Sequence, residues 1–365
     1  MEIVLQRKSL LRGIRLFLVL TILGIAAVFY LTGSGETLRC LARFHLAYLG
    51  VAVVLIAVDL FAGAARIHIF TRRLLPRGFW ACFKANLANI FLAAATPFQT
   101  GGGAAQLYVL NRYGVPYAAG VCVSVLNFCA TLSFLLLCAV WILNVIPSRL
   151  PAAGPLLTVL DVSRATFYVT LALFILLLVK PILFGRMIAR LLALAGRILP
   201  RHSKRLGRWS ASVLDFLNQY ATHVGVYWRE GRLTLVWNYL LTVVLYFNKC
   251  LVAYVIVRGL GIHAGFWEMV MLQMLIIFFL YFAPTPGASF IAETGIAAVM
   301  ALVLPKASIP VFAVLWRFVT TYFGVLLGAL VLLGLVVEKS PRESAAPAGV
   351  TAPSEATAPA GTTED

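Results

Sequence analysis

Long apolar segments dominate this chain of 365 residues and restrict the folds that it can adopt. A helix that crosses the hydrocarbon core of a bilayer needs about 20 mostly apolar residues. Only 12% of all residues are charged, whereas an ordinary soluble domain has about 25%. The sequence therefore predicts an all-α polytopic membrane protein with about six spans. The segments that reach or approach the required length are 14–31, 46–65, 118–146, 165–184, 233–257 and 311–337.

Two further apolar stretches are interrupted by proline and glycine. Residues 79–95 run into Thr-Pro-Phe-Gln-Thr-Gly-Gly-Gly at 96–103, and residues 266–283 run into Pro-Thr-Pro-Gly at 284–287. Both residue types break the interior of a helix, and irregular backbone inside a bilayer needs hydrogen-bond partners from protein or a water-filled cavity. We therefore predict two re-entrant helical hairpins. For the second stretch, two full spans joined by a tight turn are the alternative, which would give eight spans in all.

The basic residues orient the predicted spans. The chain carries 30 Lys and Arg against 13 Asp and Glu, a formal net charge of +17, and membrane proteins collect such an excess in their cytoplasmic loops. With the N-terminus inside, the loops 66–78 and 185–232 are cytoplasmic and hold most of the excess, including Arg66 at the start of the first loop. We therefore expect a multi-pass protein of the cytoplasmic membrane, with both termini in the cytoplasm and no affinity for nucleic acid.

This orientation makes the two interrupted segments inverted repeats of each other. The first hairpin enters from the cytoplasm and precedes an outward span, whereas the second enters from outside and precedes an inward span. The first break leads to a glycine run and Gln106, and the second leads from Gly287 to Glu293. Corresponding interrupted segments in two halves of a chain indicate a transporter binding site. A coincidence of two proline-rich turns is the competing interpretation.

Residues 1–338 form one predicted membrane domain, and two regions differ from its spans in composition. In the loop 185–232, apolar residues recur at helical spacing over 203–228 and predict an amphipathic helix. Its basic end suits anionic headgroups at the cytoplasmic interface, and a linker helix packed on the protein is the alternative. Residues 339–365 are rich in Ala, Pro and Thr, a composition typical of a disordered tail.

Charged residues inside predicted membrane segments are costly and usually functional. Four fall there: Asp59, Lys249, Glu293 and Arg317. In the functional interpretation, Arg317 or Lys249 meets a lipid phosphate, and Glu293 relays a proton or holds a cationic headgroup. In the structural interpretation, Arg317 and Glu293 simply pair with each other. Asp59 is expected only to cap its helix or to pair with Arg66.

Together with the two breaks, these residues define a predicted site for lipid binding and translocation. We expect the headgroup to pass between the hairpins. Asn86 and Asn89, which share one helix face, would complete a polar lining. The predicted site residues are Gly102, Gly103, Gln106, Lys249, Pro284, Pro286, Gly287, Glu293 and Arg317.

The sequence lacks the motifs of common enzyme and metal-site classes. It contains no HExxH, GxSxG or Walker motif, and its six cysteines form no CxxC pair. We therefore expect no catalytic site, no metal and no cofactor.

Three motifs resemble a known family. Residues 96–115 combine the Thr-Pro-Phe-Gln-Thr-Gly-Gly-Gly run, Gln106 and a final Gly-Val. They are similar to the first signature of the flippase-like, lysylphosphatidylglycerol synthase transmembrane-region family. Pro284–Glu293 resembles the second signature, and the stretch from Arg317 to Tyr322 resembles the third. The resemblance covers about residues 10–338.

The chain departs from the family pattern in two places. Ala104-Ala105 replace the more usual residues before the glutamine, and Phe290, preceded by Ser289, stands where a glycine is often found. The resemblance implies a polytopic membrane protein with re-entrant helices that moves a lipid between leaflets. In bifunctional relatives this region flips aminoacylated phosphatidylglycerol made by a separate soluble transferase domain, and we expect no such domain in this chain.

The leading hypothesis is a lipid translocase of the cytoplasmic membrane that moves an anionic, aminoacylated or polyprenyl-linked lipid between leaflets. The alternative is a non-catalytic membrane partner that recruits a cytoplasmic lipid or glycolipid synthase through the basic loop 185–232. A lipid-modifying enzyme would need paired acid and base groups, and only Glu293 is clearly placed for that role. Expected partners are membrane lipids, with a cytoplasmic lipid-synthesis enzyme and a second copy of the chain as further candidates.

Overall fold

The computed structural model describes residues 7–75, 78–145, 180–198, 231–281 and 283–337, together with isolated positions between 168 and 211. Regular secondary structure within these residues is helical. A π-helical turn, Phe318–Tyr322, joins the last two helices. In chain order the α-helices are α1 (Arg7–Thr32), α2 (Thr37–Ala42), α3 (Leu46–Thr71), α4 (Phe79–Ala95), α5 (Thr100–Arg112), α6 (Tyr117–Val145), α7 (Pro181–Ile198), α8 (Arg232–Gly259), α9 (Phe266–Tyr281), α10 (Ile291–Met300), α11 (Ile309–Arg317) and α12 (Phe323–Val337).

Five helical stretches in the described part of the chain are long and apolar enough to cross a membrane. Each overlaps a predicted span, which confirms an all-α polytopic membrane protein. Half of the sixth predicted span, 165–184, lies outside the described residues. The predicted amphipathic helix 203–228 lies almost entirely outside them, and the tail 339–365 lies entirely outside. The five stretches are Leu11–Thr32, Leu46–Thr71, Ala119–Ile142, Arg232–Gly259 and Lys306–Leu335.

The two interrupted segments form pairs of shorter helices that reverse direction at the predicted breaks. Asn89 Nδ2 of α4 donates to Gln106 Oε1 of α5 across the first pair, at 3.0 Å. Gln273 Nε2 of α9 lies 3.9 Å from the Met300 sulfur of α10 across the second. Of the second pair, α9 has 16 residues and α10 only 10, both fewer than the roughly 20 of a full span. These lengths favour two hairpins over eight full spans.

Helix α3 continues into the predicted loop 66–78 as far as Thr71, so the placement of Arg66 in a loop is wrong. Arg66 is only 8% exposed. Its Nη2 donates to the carbonyl oxygen of Asn127 at 2.7 Å and to Thr131 Oγ1 at 3.0 Å, both in α6. Because these acceptors come from a distant helix, the local sequence offers no sign that the guanidinium is satisfied inside the bundle.

Helix α7 crosses the predicted boundary between a span that ends at residue 184 and a loop that begins at residue 185. Arg186 and Arg190 are exposed one turn apart on this helix, and Leu191 and Leu194 are also exposed. A helix with exposed basic and apolar side chains suits a membrane interface. The prediction missed α7 because its apolar and basic residues had been divided between two different segments.

Close helix crossings bring the two hairpins together with the long helices. A Cβ on Gly63 of α3 would lie 2.6 Å from the Asn86 amide nitrogen of α4, and one on Gly328 of α12 would lie 2.3 Å from the Leu87 carbonyl oxygen of α4. Such distances are possible only where no side chain intervenes. Helix α4 is therefore held tightly between α3 and α12, with its C-terminal end at the first break.

Candidate functional site

The two helix breaks meet inside the bundle. Gln99 Nε2, in the first break, donates to the carbonyl oxygen of Leu280 in α9 at 3.4 Å. In the second break, a Cβ on Gly287 would lie 3.2 Å from the carbonyl oxygen of Ala94 in α4. The hairpins therefore touch tip to tip.

A cavity of about 250 Å³ lies beside this meeting point. Its described lining includes two cationic side chains, Lys249 and Arg317, and no carboxylate. Among the described residues, no three His, Cys, Asp or Glu side chains are grouped to hold a metal ion. The other polar side chains of the described lining are Asn89, Gln99, Tyr246, Tyr281, Thr320 and Thr321.

Backbone conformation is unusual at both breaks. Phe98 and Gln99 have φ values of 51° and 56° in the first break, and Ala288 and Phe290 have 55° and 69° in the second. Residues other than glycine rarely adopt a positive φ, and such strain often clusters at ligand sites. Phe290 occupies the position where the resemblance expects glycine more often, and its positive φ gives the physical reason for that preference.

Hydrogen bonds from threonine and serine hydroxyls stabilise the backbone at both helix breaks. Thr96 Oγ1 donates to the carbonyl oxygen of Leu92 and accepts from the backbone N–H of Gly101, both at 2.8 Å. Thr285 Oγ1 donates to the carbonyl oxygen of Ser289 at 2.9 Å. The Ser289 hydroxyl lies 3.0 Å from that of Thr21 in α1. These bonds satisfy polar groups that the interrupted helices would otherwise leave open.

Arg317 and Glu293 form a buried ion pair at the cavity wall. Arg317 Nε donates to Glu293 Oε1 at 2.8 Å, and the two residues are 3% and 0% exposed. Glu293 Oε2 accepts from the backbone N–H of Phe290 at 2.6 Å, and the Tyr322 hydroxyl donates to Oε1 at 3.2 Å. The structure thus contains the ion pair of the structural interpretation, with Arg317 also lining the cavity.

The remaining donors of Arg317 tie the second break to the helix that carries the arginine. Nη2 donates to the carbonyl oxygen of Gly287 and Nη1 to Thr321 Oγ1, both at 3.1 Å. The π-turn Phe318–Tyr322 directly follows Arg317. π-turns are frequent at functional sites because they change which side chains share a helix face. Here the turn places both Thr321 and Tyr322 beside the pair.

Lys249 and Asp59 form a second ion pair, which joins α8 to α3. Lys249 Nζ lies 2.9 Å from Asp59 Oδ2. The expectation that Asp59 caps its helix or pairs with Arg66 is therefore wrong, because α8 supplies a cation directly opposite it. Asp59 Oδ1 has no hydrogen-bond partner among the described residues.

This pair separates the main cavity from a second cavity of about 150 Å³. Lys249, Ile90 and Thr320 line both cavities, whereas Asp59 lines only the second. Asn86 also lines the second cavity and donates to the carbonyl oxygen of Leu60 at 3.3 Å. Lys249, Ile90 and Thr320 therefore form the wall between the two spaces.

Three predicted site residues of the first hairpin lie away from the described cavity lining. Gln106 is buried, accepts from Asn89 and donates its Nε2 to Ser124 Oγ of α6 at 3.0 Å. A Cβ on Gly102 would lie 2.6 Å from Asn89 Oδ1, whereas one on Gly103 would meet nothing within 4 Å. The structure thus places Gln106 and Gly102 in the packing of the hairpin arms.

The two adjacent glycines allow a matched test of that packing. We expect Gly102→Leu to lower the free energy of unfolding by about 1–3 kcal/mol, because a larger side chain at a closed helix crossing forces the arms apart. Gly103→Leu should have little effect, since its side chain points to open space. Thermal unfolding of the two purified variants measures the difference, and equal stabilities would contradict the tight crossing.

The second break contributes unequally to the cavity. Gly287 lines it and has a φ of 57°. Pro286 is buried and Pro284 is exposed, and neither belongs to the described lining. The prolines therefore shape the turn, whereas Gly287 faces the cavity and its carbonyl oxygen accepts from Arg317.

Sequence reasoning did not select Tyr246, Tyr281 or Gln99, which all line the cavity. Tyr246 precedes Lys249 by three residues on α8, so the two share a helix face. That spacing was the available signal for Tyr246. Tyr281 and Gln99 come together only because the hairpin tips meet, for which the local sequence offers no signal.

Comparison with known proteins finds relatives of this membrane region. The family model described as "Lysylphosphatidylglycerol synthase TM region" matches residues 14–328. A curated relative described as "UPF0104 membrane protein", from Archaeoglobus fulgidus, is 24% identical over 310 residues, which cover 84% of this chain and 92% of the relative. The matched region includes both hairpins and the described cavity lining.

Proposed function

Because the chain belongs to the lysylphosphatidylglycerol synthase TM region family, we propose that it is a lipid translocase that moves an anionic lipid between the two leaflets of its membrane. The observation that carries the proposal is the cavity between the hairpin tips, with Lys249 and Arg317 in its described lining and no carboxylate. Arg and Lys are the usual partners of phosphate groups, and their attraction is strong where water is scarce.

The cavity is large enough for a headgroup but not for a whole lipid. Its volume of about 250 Å³ is slightly smaller than the roughly 300–1,000 Å³ of sites that hold whole drug-sized ligands. The acyl chains would remain in the hydrocarbon while the headgroup enters between the hairpins. Tyr246, Tyr281 and Gln99 place polar groups in the lining, next to the space that a glycerol or sugar headgroup would occupy.

The lining also bears on the class of lipid. An aminoacylated headgroup carries an ammonium group, which would need a carboxylate or another acceptor. Glu293 is occupied by Arg317 and Asp59 lies on the far side of Lys249. The described lining therefore favours a lipid with net negative charge, such as phosphatidylglycerol or a polyprenyl phosphate.

The two carboxylates act as internal counter-ions in this mechanism. In the empty site, Asp59 holds Lys249 and Glu293 holds Arg317. An arriving phosphate would accept from the remaining N–H groups of Lys249 and Arg317 while Asp59 and Glu293 keep their own bonds to these cations. Sharing the cations in this way leaves neither a cation nor a carboxylate as an isolated buried charge, which would cost several kcal/mol. Relative movement of the two hairpins would then expose the site to either leaflet.

The orientation with both termini in the cytoplasm is part of the proposal. Arg72 and Arg73 are exposed at the C-terminal end of α3, and Arg186 and Arg190 are exposed on α7. The bias of Lys and Arg toward cytoplasmic loops supports this orientation.

Reconstitution tests the proposed function. Purified protein is incorporated into phosphatidylcholine vesicles that carry fluorescent phosphatidylglycerol in both leaflets, and dithionite then bleaches the outer leaflet. We expect the inner label to become accessible in vesicles with protein and to stay protected without it. Parallel vesicles carry a fluorescent polyprenyl phosphate or labelled phosphatidylcholine. Protection of both anionic labels in protein-containing vesicles would overturn the proposal.

Lys249→Met should slow transport of the labelled anionic lipid by about tenfold or more, because one charge-assisted bond to phosphate contributes about 1.5–3 kcal/mol. Lys249→Arg keeps the charge and should retain part of the activity. Lys306→Met removes an exposed lysine away from the cavity and is the matched control. Equal rates for Lys249→Met and Lys306→Met would contradict a role for Lys249 in headgroup binding.

A further inference from the structure

Among the described residues, three cations that lie inside the bundle differ in their counter-charges: Arg66 and Arg317 are buried, and Lys249 is partly buried. Arg317 pairs with Glu293, and Lys249 pairs with Asp59. Arg66 bonds only to neutral acceptors: its Nε donates to Asn238 Oδ1 at 3.3 Å, and its Nη2 donates to the Asn127 carbonyl oxygen and to Thr131 Oγ1. Within the described chain, this cluster therefore holds three cations and two carboxylates.

This excess positive charge favours the binding of an anion. A buried charge without a counter-ion costs several kcal/mol in a protein interior, and such charges are rare inside a membrane. The contacts of Arg66 with described residues use Nε and Nη2, so both N–H groups of Nη1 are available. A phosphate oxygen accepts such N–H groups well.

Helix periodicity places Arg66 on the same polar face as the Lys249–Asp59 pair. Arg66 follows Asp59 by seven residues on α3, which is two turns, and Asn238 precedes Lys249 by eleven residues on α8, which is three turns. The two contacts are thus successive bridges between the same helices. They lie about 10 Å apart along α3, at a rise of about 1.5 Å per residue.

Arg66 also borders the cavity through shared neighbours. Tyr246, Tyr281 and Asp59 lie within electrostatic reach of its guanidinium, although Asp59 makes its ion pair with Lys249; the two tyrosines line the cavity. Thr131, which accepts from Arg66, is also a hydrogen-bonding neighbour of Tyr246. A phosphate that leaves Lys249 along this face would therefore next meet Arg66, closer to the C-terminal end of α3.

We propose that Arg66 is a second binding site for the phosphate of an anionic lipid headgroup, next to the cavity and beyond Lys249. The inference rests on the proposed function in that the cavity supplies the headgroup. Arg66 then binds the phosphate after the headgroup has dissociated from Lys249 and Arg317. Tyr246 and Tyr281 are neighbours both of Arg66 and of the cavity, so they connect the two binding positions.

Native mass spectrometry of the purified full chain in detergent tests the assignment. The probe is dioctanoyl phosphatidylglycerol, with dioctanoylglycerol as the probe that lacks phosphate and inorganic phosphate as the free anion. We expect two bound equivalents of the phospholipid in the wild type and none of dioctanoylglycerol. Arg66→Gln should weaken the second equivalent by about tenfold or more, because a charge-assisted bond to phosphate is lost.

A second variant keeps the test decisive where Arg66→Gln does not fold. Asn238→Asp keeps the side-chain shape and puts a carboxylate beside Arg66 Nε, so the internal counter-charge should displace the second lipid as effectively. Arg73→Gln removes an exposed arginine near the end of the same helix and should leave both equivalents unchanged.

The outcomes separate this inference from the proposed function. Two equivalents of unchanged affinity in both Arg66→Gln and Asn238→Asp would overturn the Arg66 site. Binding of inorganic phosphate at Arg66 without the phospholipid would overturn its assignment to lipid. In a third outcome, the variants lose the second equivalent while the wild-type protein moves no lipid in vesicles. That pair of results would support the Arg66 site and overturn the translocase proposal.

Discussion

Glu293→Gln is expected to lower the free energy of unfolding by about 3–5 kcal/mol, the usual range when one member of a buried ion pair is removed. The substitution leaves Arg317 as a charge that is 3% exposed and has no carboxylate at its Nε. It also weakens the bond from the backbone N–H of Phe290, which supports the start of α10. Thermal and denaturant unfolding of the purified variant measure the loss.

The double variant Glu293→Gln/Arg317→Met distinguishes the ion pair from other effects. Because it removes both charges, we expect it to be more stable than Glu293→Gln alone, with a coupling energy of about 0.5–3 kcal/mol in a double-mutant cycle. Glu268→Gln changes an exposed glutamate in the first turn of α9 and should alter stability by no more than about 0.5 kcal/mol. A Glu293→Gln protein as stable as that control would refute the structural role of the pair.

The same double variant separates folding from transport. It should fold but move labelled phosphatidylglycerol poorly, because the cavity has lost one of its two cations. Wild-type transport by the double variant would show that Arg317 only supports the fold, as the structural interpretation of the sequence holds. Loss of transport with recovered stability would assign Arg317 to the headgroup.

Gly328→Leu should destabilise the protein by about 3 kcal/mol, at the upper end of the usual cost of overpacking. A Cβ at this position would lie 2.3 Å from the carbonyl oxygen of Leu87 in α4 and 2.8 Å from the Cβ of Phe91. A backbone carbonyl cannot move aside as the end of a flexible side chain can. Helix α12 must therefore separate from α4, and with it the cavity residues Ile90 and Val325.

Gly334→Leu is the control for this prediction. It lies in the same helix, gains the same helix propensity and apolar area, and a Cβ there would meet nothing within 4 Å. We expect Gly334→Leu to unfold at or slightly above the wild-type temperature. If both leucine variants unfold at the same temperature, the close crossing of α4 and α12 does not contribute to stability.

The spans and breaks were predictable because they are local properties of the chain. Backbone groups in lipid must be bonded within a helix, so an apolar run of sufficient length specifies a span. Proline and glycine then mark where a helix must end. The breaks after Ala95 and Tyr281 lie where the composition predicted them. The predicted hairpins followed from the same reasoning.

The boundary at Arg66 was not predictable in this way. A charge at the end of an apolar run usually marks the start of a loop. In the structure, Asn127, Thr131 and Asn238 supply acceptors from two other helices. The helix therefore continues past a residue that, on local evidence alone, belongs in water.

The predicted site residues divide between the cavity and the helix packing. Residues 249, 287 and 317 line the cavity, whereas residues 102 and 106 belong to the packing of the first hairpin. The difference arises because a glycine run can serve either a close helix crossing or a ligand, and the sequence pattern is the same for both. The cavity tyrosines were missed because tyrosines are common at membrane interfaces.

The sequence by itself determined that the chain is helical and membrane-embedded, where its helices are interrupted, and that a few charges lie among apolar residues. Those conclusions depend on the length of apolar runs and on the need of every backbone group in lipid for a hydrogen bond. Both are properties of residues that are close together in the sequence. Only the tertiary structure decided which cation meets which carboxylate. Lys249 pairs with Asp59 across 190 residues and Arg317 with Glu293 across 24, while Arg66 meets neither carboxylate. Electrostatic energy depends on distance in space. The positions of the packed helices were therefore needed to show that Arg66 forms no ion pair with either carboxylate.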